Sequence, residues 1–521
     1  MELCGKFGPD LAQGLIANKG LEMKSTSHWQ ALPVYLRPVF LCLFVLALTV
    51  LKLWSAANAW FVEDEAYYRL WGQFPALSYY DHPPMIGWWA WAGQQLVGDT
   101  FLGTRLVVVL TSALGSLALW RTAFLLFDRR VAGWAVLFLN ASILVGVGGI
   151  LATPDAPSVL FWGLALWALA ELYRSNNANW WLAVGLFAGL GLLSKYSVLF
   201  LGVGIVVWLL WARGARRWFF SWQLWVGGAL ALLMFVPVLY WNHLHDWASF
   251  YKQFGRAGRG DWTSRYIFEF TGGLLGLVNP LLAVPAIFGA VRLGRRTLRR
   301  DGAATLILLT VLPFLAYLVF HSLHARVQAN WPAPLFPAFA IMAAVFVAYP
   351  NGWDVWWRRL SIAGIALGVT VAVVIQIHAV TPLTGTLARK DPTFQLRGWP
   401  EIGEEIRSIA EETGAAYIAT TGYGLNAQLA YLFKDELPVL QLNERIRYAM
   451  LPSPDPALFR KKGLYVTLER RDRVERLRQI YGDVMKAASL TRSVDGTFLE
   501  HIVVYEVPGL PNMPLLPDED D

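Results

Sequence analysis

One short stretch of this chain concentrates ionisable side chains in an otherwise apolar sequence: VEDEAYYRLWGQFPALSYYDHPP, at residues 62–84. Asp64 and Glu65 are adjacent there, and His82 lies near its end. Adjacent carboxylates repel each other, so one of them can have a raised pKa and act as a base or bind a cation. A solvated pair of interfacial charges is the alternative, but the aromatic neighbours favour partial burial and a catalytic site.

Two further polar positions interrupt long apolar runs. Asp155 lies in the turn TPDAP, where it can cap the next helix and still direct a carboxylate towards a site. Lys195 and Tyr196 lie in LLSKYSV, between two apolar runs. A lysine at such a boundary often only reaches to the membrane surface, but a fixed cation there could also bind a lipid phosphate. We therefore predict a catalytic carboxylate at Asp155 and donor-binding side chains at Lys195 and Tyr196.

Two later loops are rich in arginine, histidine and amide side chains. The segment GRAGRGDWTSR contains Arg256 and Arg259, which could bind an anion, and its glycines permit movement. The segment HSLHARVQANWPAP contains His324, Arg326 and Asn330. Arg326 could clamp a phosphate and Asn330 could hydrogen-bond a sugar. A plain connecting loop is the alternative in the second case, but the density of planar polar groups favours a binding site.

The composition identifies the class of protein. Of the 521 residues, 56% are hydrophobic and 16% are charged, whereas soluble proteins have about 25% charged residues. The basic residues that give the net charge of +7 lie between the apolar runs. The sequence shows no basic surface interleaved with aromatic residues, so nucleic-acid binding is not predicted. The runs predict an all-α polytopic membrane protein with about eleven transmembrane helices. They lie near residues 38–58, 101–127, 131–151, 156–173, 180–194, 196–212, 222–242, 266–291, 303–320, 332–349 and 360–380.

Basic clusters decide the predicted orientation, because they fall in alternate loops. These clusters are Arg129–Arg130, Arg174, Arg213 with Arg216–Arg217, Arg292 to Arg300, and Arg358–Arg359. The positive-inside rule makes these loops and the N-terminus cytoplasmic. The polar motifs then lie together on the periplasmic side, as expected of an enzyme whose active site opens there.

Four parts follow in the predicted organisation. They are a cytoplasmic segment at 1–37, a transmembrane catalytic domain at 38–380, a periplasmic α/β domain at 381–510 and an acidic tail at 511–521. Residues 85–98 are tryptophan-rich but too short to span, which is typical of a helix along the membrane surface. Beyond residue 381, alternating helix and strand patterns predict a small soluble domain, with strands at 415–420, 438–442, 463–469 and 500–507.

No sequence motif indicates a resident cofactor. The chain lacks a Walker loop, a dinucleotide-binding fingerprint and an HExxH motif. Its two cysteines, Cys4 and Cys42, do not have zinc-ligand spacing. We predict no metal-ligand set, and leave open a divalent cation that would help to neutralise a phosphate.

Taken in order, these motifs resemble glycosyltransferase family 39. The resemblance rests on the Asp64-Glu65 pair after the first span, the HPP that begins at His82, the TPD that ends at Asp155, the SKY around Lys195, and RVQANWPAP from Arg326. It covers roughly residues 39–380. The family includes bacterial relatives of dolichyl-phosphate-mannose protein mannosyltransferases and of the aminoarabinose transferase that modifies lipid A. The region beyond residue 381 departs from the sugar-binding insertion domains of the eukaryotic mannosyltransferases.

The resemblance implies a GT-C fold and a polyprenyl monophosphate sugar as the donor. It assigns Asp64 to the acid that deprotonates or orients the acceptor, Glu65 to its partner, Asp155 to a second acidic position and Lys195 to the donor phosphate. We therefore expect a glycosyltransferase of the bacterial inner membrane that acts on lipid A, lipopolysaccharide core or another envelope glycan. O-glycosylation of secreted proteins, or transport of polyprenyl-linked sugars, are the alternatives.

Overall fold

The computed structural model describes residues 32–255, 262–350, 354–512 and 514. Most of the predicted cytoplasmic segment and of the acidic tail therefore lies outside the described residues, as do Arg256 and Arg259. Within the described ranges the chain is mostly helical, with one mixed sheet near the C-terminus. This architecture confirms the predicted all-α membrane part and the small α/β region that follows it.

The membrane part consists of helices joined by short connections. In chain order the helices are α1 (Pro38–Asn58), α2 (Glu63–Gln73), α3 (Met85–Val97), α4 (Phe101–Leu126), α5 (Arg129–Ala141), α6 (Asp155–Ser175), α7 (Trp180–Leu192), α8 (Leu199–Trp211), α9 (Trp222–Leu244), α10 (Ala248–Phe254), α11 (Arg265–Val278), α12 (Pro280–Leu298), α13 (Gly302–His321), α14 (Phe336–Val347) and α15 (Asp354–Val380). A single helical turn, Ile143–Gly146, follows α5.

Several of these helices are long and apolar enough to cross a membrane. Among the described residues, six meet this condition, namely α1, α4, α6, α9, α13 and α15, and the pair α11 and α12, bent by 103°, could add a seventh. The predicted spans 180–194, 196–212 and 332–349 are shorter apolar helices, and α7 and α8 have only 13 residues each. The predicted span 131–151 is divided between α5 and two short helical turns. The membrane class is thus confirmed, while the number of eleven spans stays a prediction.

The acidic stretch at residues 62–84 is half helical. Glu63, Asp64 and Glu65 form the first turn of α2, where negative charge stabilises the helix dipole. The chain then turns at residues 74–84 and enters α3, which occupies the range of the predicted surface helix. The start of α2 therefore has a defined backbone, from which the three adjacent carboxylates point in different directions.

A fully buried ion pair holds the start of α2. Glu65 and Arg105 of α4 form a double contact, with Nε to Oε1 at 2.8 Å and Nη2 to Oε2 at 2.6 Å. Arg105 also donates to the carbonyls of Ala59 and Trp60, at the end of α1. Glu65 accepts the backbone N–H of Ala152 at 2.8 Å. The pair therefore ties α1, α2 and α4 to the segment that leads into α6.

The C-terminal region is a five-stranded sheet with helices. It contains α16 (Trp399–Thr413), β1 (Ile418–Thr420), α17 (Tyr423–Leu432), β2 (Val439–Gln441), β3 (Gly463–Leu468), α18 (Val474–Tyr481), β4 (Met485–Val494) and β5 (Thr497–Val507). The strand order is β2-β1-β3-β5-β4. β1 is parallel to β2 and β3, with Ile418 opposite Val439 and Leu464, and β5 is antiparallel to β3 and β4.

One strand, β4, had no counterpart in the sequence prediction. Its residues MKAASLTRSV are poor in β-branched and aromatic types, and most of its first half is exposed at the sheet edge. A local signal was nevertheless present in Asp495-Gly496, which joins β4 to β5 with positive φ at both residues. Such a pair is the preferred two-residue turn of a β-hairpin.

Helix α17 attaches the C-terminal region to α2 and its neighbours. Gln428 accepts a hydrogen bond from the Trp60 indole at 2.8 Å and donates to the Phe61 carbonyl at 2.9 Å. The helices approach so closely that a Cβ at Gly424 would lie 2.6 Å from the Glu63 carboxylate. Because this contact combines hydrogen bonds with close packing, α17 lies at a fixed position beside the acidic turn of α2.

The buried ion pair supports a stability prediction. Replacing Arg105 with alanine leaves Glu65 charged and unpaired in the interior, so we expect a loss of roughly 3–5 kcal/mol. The matched control is Arg121→Ala, which removes a 39%-exposed arginine of α4 from Glu171 and should cost about 1 kcal/mol or less. Thermal unfolding of the two purified variants measures the difference, and equal shifts in Tm would show that the buried pair stabilises the fold no more than a surface pair does.

Candidate active site

Asp64, the second residue of α2, presents an exposed carboxylate. Its Oδ1 accepts a hydrogen bond from the Tyr423 hydroxyl at 2.9 Å. No side chain of the described residues bonds to its other oxygen, Oδ2. The protein packed around this group raises its pKa by desolvation, although the Tyr423 bond and the Arg447 charge partly offset the effect. A carboxylate with one free oxygen and a raised pKa is suited to accept a proton.

Asp155, Lys195 and Asn330 meet although they come from distant motifs. The Lys195 Nζ lies 2.6 Å from Asp155 Oδ1, and the Asn330 amide donates to Oδ2 at 2.7 Å. Asp155 is the first residue of α6, Lys195 lies between α7 and α8, and Asn330 lies between α13 and α14. The structure thus brings together three of the residues that the sequence predicted for the site.

His82 and Tyr68 lie between Asp64 and the cluster of Asp155, Lys195 and Asn330. Burial and the nearby Lys195 charge lower the pKa of His82 to about 4, although Asp155 and Asp81 act in the opposite direction. At neutral pH His82 is therefore uncharged and can hydrogen-bond a phosphate without adding positive charge. The pKa of Tyr68 is raised by burial and then by the charges of Asp64, Asp81 and Asp155. Tyr68 is thus near enough to feel the charges of all three carboxylates, and its ring lies 6.3 Å from that of His82, between centroids.

A second charged cluster centres on Asp81. Its carboxylate lies 2.6 Å from Lys252 of α10 and 2.7 Å, through both oxygens, from Arg447 of the C-terminal region. The Tyr67 hydroxyl donates to it at 3.0 Å. Burial alone would raise the pKa of Asp81, but Arg447 and Lys252 hold it below the usual value. Asp81 therefore stays ionised and organises the two cations instead of accepting protons.

Sequence reasoning missed most of this second cluster. Asp81 lay in the stretch that first attracted attention, but its partners are 171 and 366 residues away along the chain. Lys252 shortly precedes the segment GRAGRGDWTSR, which the sequence predicted to bind an anion. Its position beside that segment was a usable signal. Nothing in the sequence pointed to Arg447 or Tyr423, because both follow the predicted membrane domain.

The remaining predicted residues make contacts with other parts of the structure. Glu65 is fully buried against Arg105, so it positions α2 and does not face the site. Tyr196 is buried, with its hydroxyl 2.9 Å from Ser249. His324 packs against Trp262 and Phe320. Arg326 is 75% exposed and pairs with Glu269 at 3.3 Å, while Arg256 and Arg259 lie outside the described residues.

Two acidic residues of the site, Asp155 and Asp81, are engaged by other side chains and do not form a metal-binding set. Both oxygens of Asp155 are engaged by Lys195 and Asn330, and both oxygens of Asp81 by Arg447. In the part of the chain that the structure describes, no group of three or more histidine, cysteine or acidic side chains is arranged to hold a metal. A cation that arrives with a donor phosphate stays a prediction.

The chain is similar in sequence to known membrane glycosyltransferases. Residues 81–241 match the family described as dolichyl-phosphate-mannose-protein mannosyltransferase. The lipid A galacturonosyltransferase RgtD of Rhizobium johnstonii is 27% identical over 383 residues, covering 72% of this chain and 78% of that protein. The undecaprenyl phosphate-alpha-4-amino-4-deoxy-L-arabinose arabinosyl transferase of Erwinia tasmaniensis is 27% identical over 294 residues, covering 52% of this chain and 50% of the relative.

The fold is shared with a solved structure. The crystal structure of ArnT from Cupriavidus metallidurans in the apo state superposes with a TM-score of 0.63 at 16% identity, and the match covers 89% of this chain and 97% of that one. The agreement extends over the membrane helices and the C-terminal region, since so little of either chain is left out. The chain therefore has the GT-C fold of that structure, and its residues 81–241 are similar in sequence to the mannosyltransferase family.

Proposed function

We propose that this protein transfers a sugar from a polyprenyl-phosphate donor to a hydroxyl group of lipid A, lipopolysaccharide core or another envelope glycan. The observation that carries the proposal is the free Oδ2 of Asp64, which is linked to the cationic Lys195 through the neighbouring side chains of Tyr68 and His82. Glycosyl transfer from a phosphate needs both functions, a base for the acceptor and positive charge for the departing group.

The residues support a single displacement. The acceptor oxygen attacks the anomeric carbon, and Asp64 takes the proton from the acceptor hydroxyl. The bond between the anomeric carbon and the phosphate oxygen breaks, and its electron pair leaves with the polyprenyl phosphate. Lys195, held by Asp155 at 2.6 Å, stabilises the charge that develops on that phosphate. A single displacement inverts the anomeric configuration.

The names of the relatives support the choice of substrates. One relative is named for lipid A and another for an undecaprenyl phosphate-linked sugar. A second structure of the Cupriavidus metallidurans protein is described as bound to undecaprenyl phosphate. A lipid-linked donor also accounts for a site at the ends of membrane helices, because a polyprenyl chain keeps its phosphate at the membrane surface.

The location of the site belongs to the same proposal. We infer a multi-pass protein of the bacterial inner membrane, with a cytoplasmic N-terminus and with the site and C-terminal region in the periplasm. The support is the alternation of arginine clusters along the chain. Asp155 and Lys195 lie at helix ends on the side opposite to those clusters, whereas a transporter would place such groups near the bilayer centre.

The role of Asp64 as base leads to a direct test. In Asp64→Asn the side chain keeps its shape and an oxygen for the Tyr423 bond, but it no longer accepts a proton. We expect transfer to fall about 100- to 10,000-fold, with donor binding nearly unchanged. Asp435→Asn, at an exposed carboxylate just beyond α17, is the matched control and should transfer like the wild type. Full activity of Asp64→Asn would refute the proposed base.

Product stereochemistry tests the displacement itself. Because one attack at the anomeric carbon inverts its configuration, the transferred sugar should have the anomeric form opposite to that of the donor. Proton NMR of the purified product, compared with the donor, measures this through the anomeric coupling constant. Retention of the donor configuration would exclude the single-displacement mechanism.

Mass spectrometry of whole envelopes identifies the substrates. Cells that lack the gene should lose one sugar mass from a lipid or envelope glycan, and the wild-type gene should restore it while the Asp64→Asn gene does not. The lost mass gives the sugar, and the molecule that loses it gives the acceptor. Loss of sugar from secreted proteins alone would mean that the acceptor is a protein and would refute the envelope-glycan acceptor.

A further inference from the structure

Tyr423 belongs to the C-terminal region but bonds directly to the proposed base of the membrane part. Its hydroxyl donates to Asp64 Oδ1 at 2.9 Å, across 359 residues of sequence. We propose that Tyr423 is a positioning residue that holds the Asp64 carboxylate in its reactive orientation, so that the C-terminal region completes the active site. This inference rests on the proposed function, because it assigns Tyr423 a purpose only if Asp64 is the base.

Tyr423 is itself held firmly by its surroundings. The guanidinium of Arg447 lies over its ring, 4.7 Å from the centroid, and Arg447 is fixed by its double contact with Asp81. The Tyr67 ring meets the Tyr423 ring edge-on at 5.7 Å. Tyr423 also begins α17, which the Gln428 contacts attach beside α2. A hydroxyl held in this way loses little conformational freedom when it bonds to Asp64.

The hydrogen bond from Tyr423 gives the two carboxylate oxygens of Asp64 different roles. Oδ1 accepts from Tyr423, which leaves Oδ2 free to take the acceptor proton. Burial and the adjacent Asp64 charge raise the pKa of Tyr423, so its hydroxyl remains a donor throughout the working pH range. Because the bond favours the ionised form of Asp64, it keeps the base ionised at a lower pH than the desolvation by the surrounding protein would otherwise allow.

The geometry leads to a defined effect of Tyr423→Phe, which removes only the hydroxyl. The variant should lower kcat about 10-fold, with the KM for the donor unchanged. The base works ionised, so activity declines as the pH falls through the pKa of Asp64. Without the bond that pKa is higher, and the acid limb of the pH profile should move upward by roughly one pH unit. Steady-state transfer by the full-length protein at a series of pH values measures both effects.

Tyr431→Phe is the matched control on the same helix. Tyr431 is half-buried like Tyr423, and its ring packs against Trp60 and Arg69. In the described structure its hydroxyl makes no hydrogen bond. We expect its pH profile to match the wild type. If Tyr423 served only to attach α17, its phenylalanine variant would lose activity equally at every pH, and that result would overturn the inference.

A second substitution keeps the test valid even if Tyr423→Phe folds poorly. Incorporating 3-fluorotyrosine at position 423 preserves the ring and strengthens the hydroxyl as a donor, so the acid limb should move to lower pH. If the acid limb of the pH profile moves in neither variant, the inference about Tyr423 is refuted. The proposed function still stands in that case, provided that the wild type transfers the sugar and Asp64→Asn does not. If Asp64→Asn remained active, the proposed function itself would fail.

Discussion

The buried pair of Glu65 and Arg105 is the interaction on which the site depends. It joins the end of α1, the first turn of α2 and the residues that precede α6, because Glu65 also accepts the Ala152 N–H. Asp64 lies in the first turn of α2, and Asp155 is the first residue of α6. The same buried contact therefore positions both carboxylates. Since neither member of the pair is exposed to water, any rearrangement of α2 against α6 would leave a buried charge unpaired.

A second set of contacts joins the C-terminal region to the site. Arg447 bonds to Asp81 and stacks on Tyr423, and Tyr423 bonds to Asp64. The C-terminal region is therefore more than an appended soluble unit, because it supplies side chains that the membrane helices lack. Tyr423 begins α17, and Arg447 lies in the short helical turn Arg445–Tyr448 between β2 and β3.

Neighbouring residues of similar chemistry have different functions here. Asp64 and Glu65 are adjacent, yet Asp64 is exposed with one free oxygen and Glu65 is enclosed by Arg105. In a helix, consecutive side chains point about 100° apart, so adjacent residues cannot face the same partner. A sequence pattern can therefore show that acids are concentrated in the stretch, but it cannot choose between them.

The sequence alone determined the membrane class, the α/β character of the C-terminal region and the motif residues Asp64, Asp155, Lys195 and Asn330. Long apolar runs, strand and helix periods and local polar clusters are properties of nearby residues, which is why they can be recognised without a structure. Only the tertiary structure decided that Asp155 binds Lys195 and Asn330, and that Asp81 meets Lys252 and Arg447. These contacts join residues 40 to 366 positions apart. Such pairings depend on how helices pack, which no local pattern encodes.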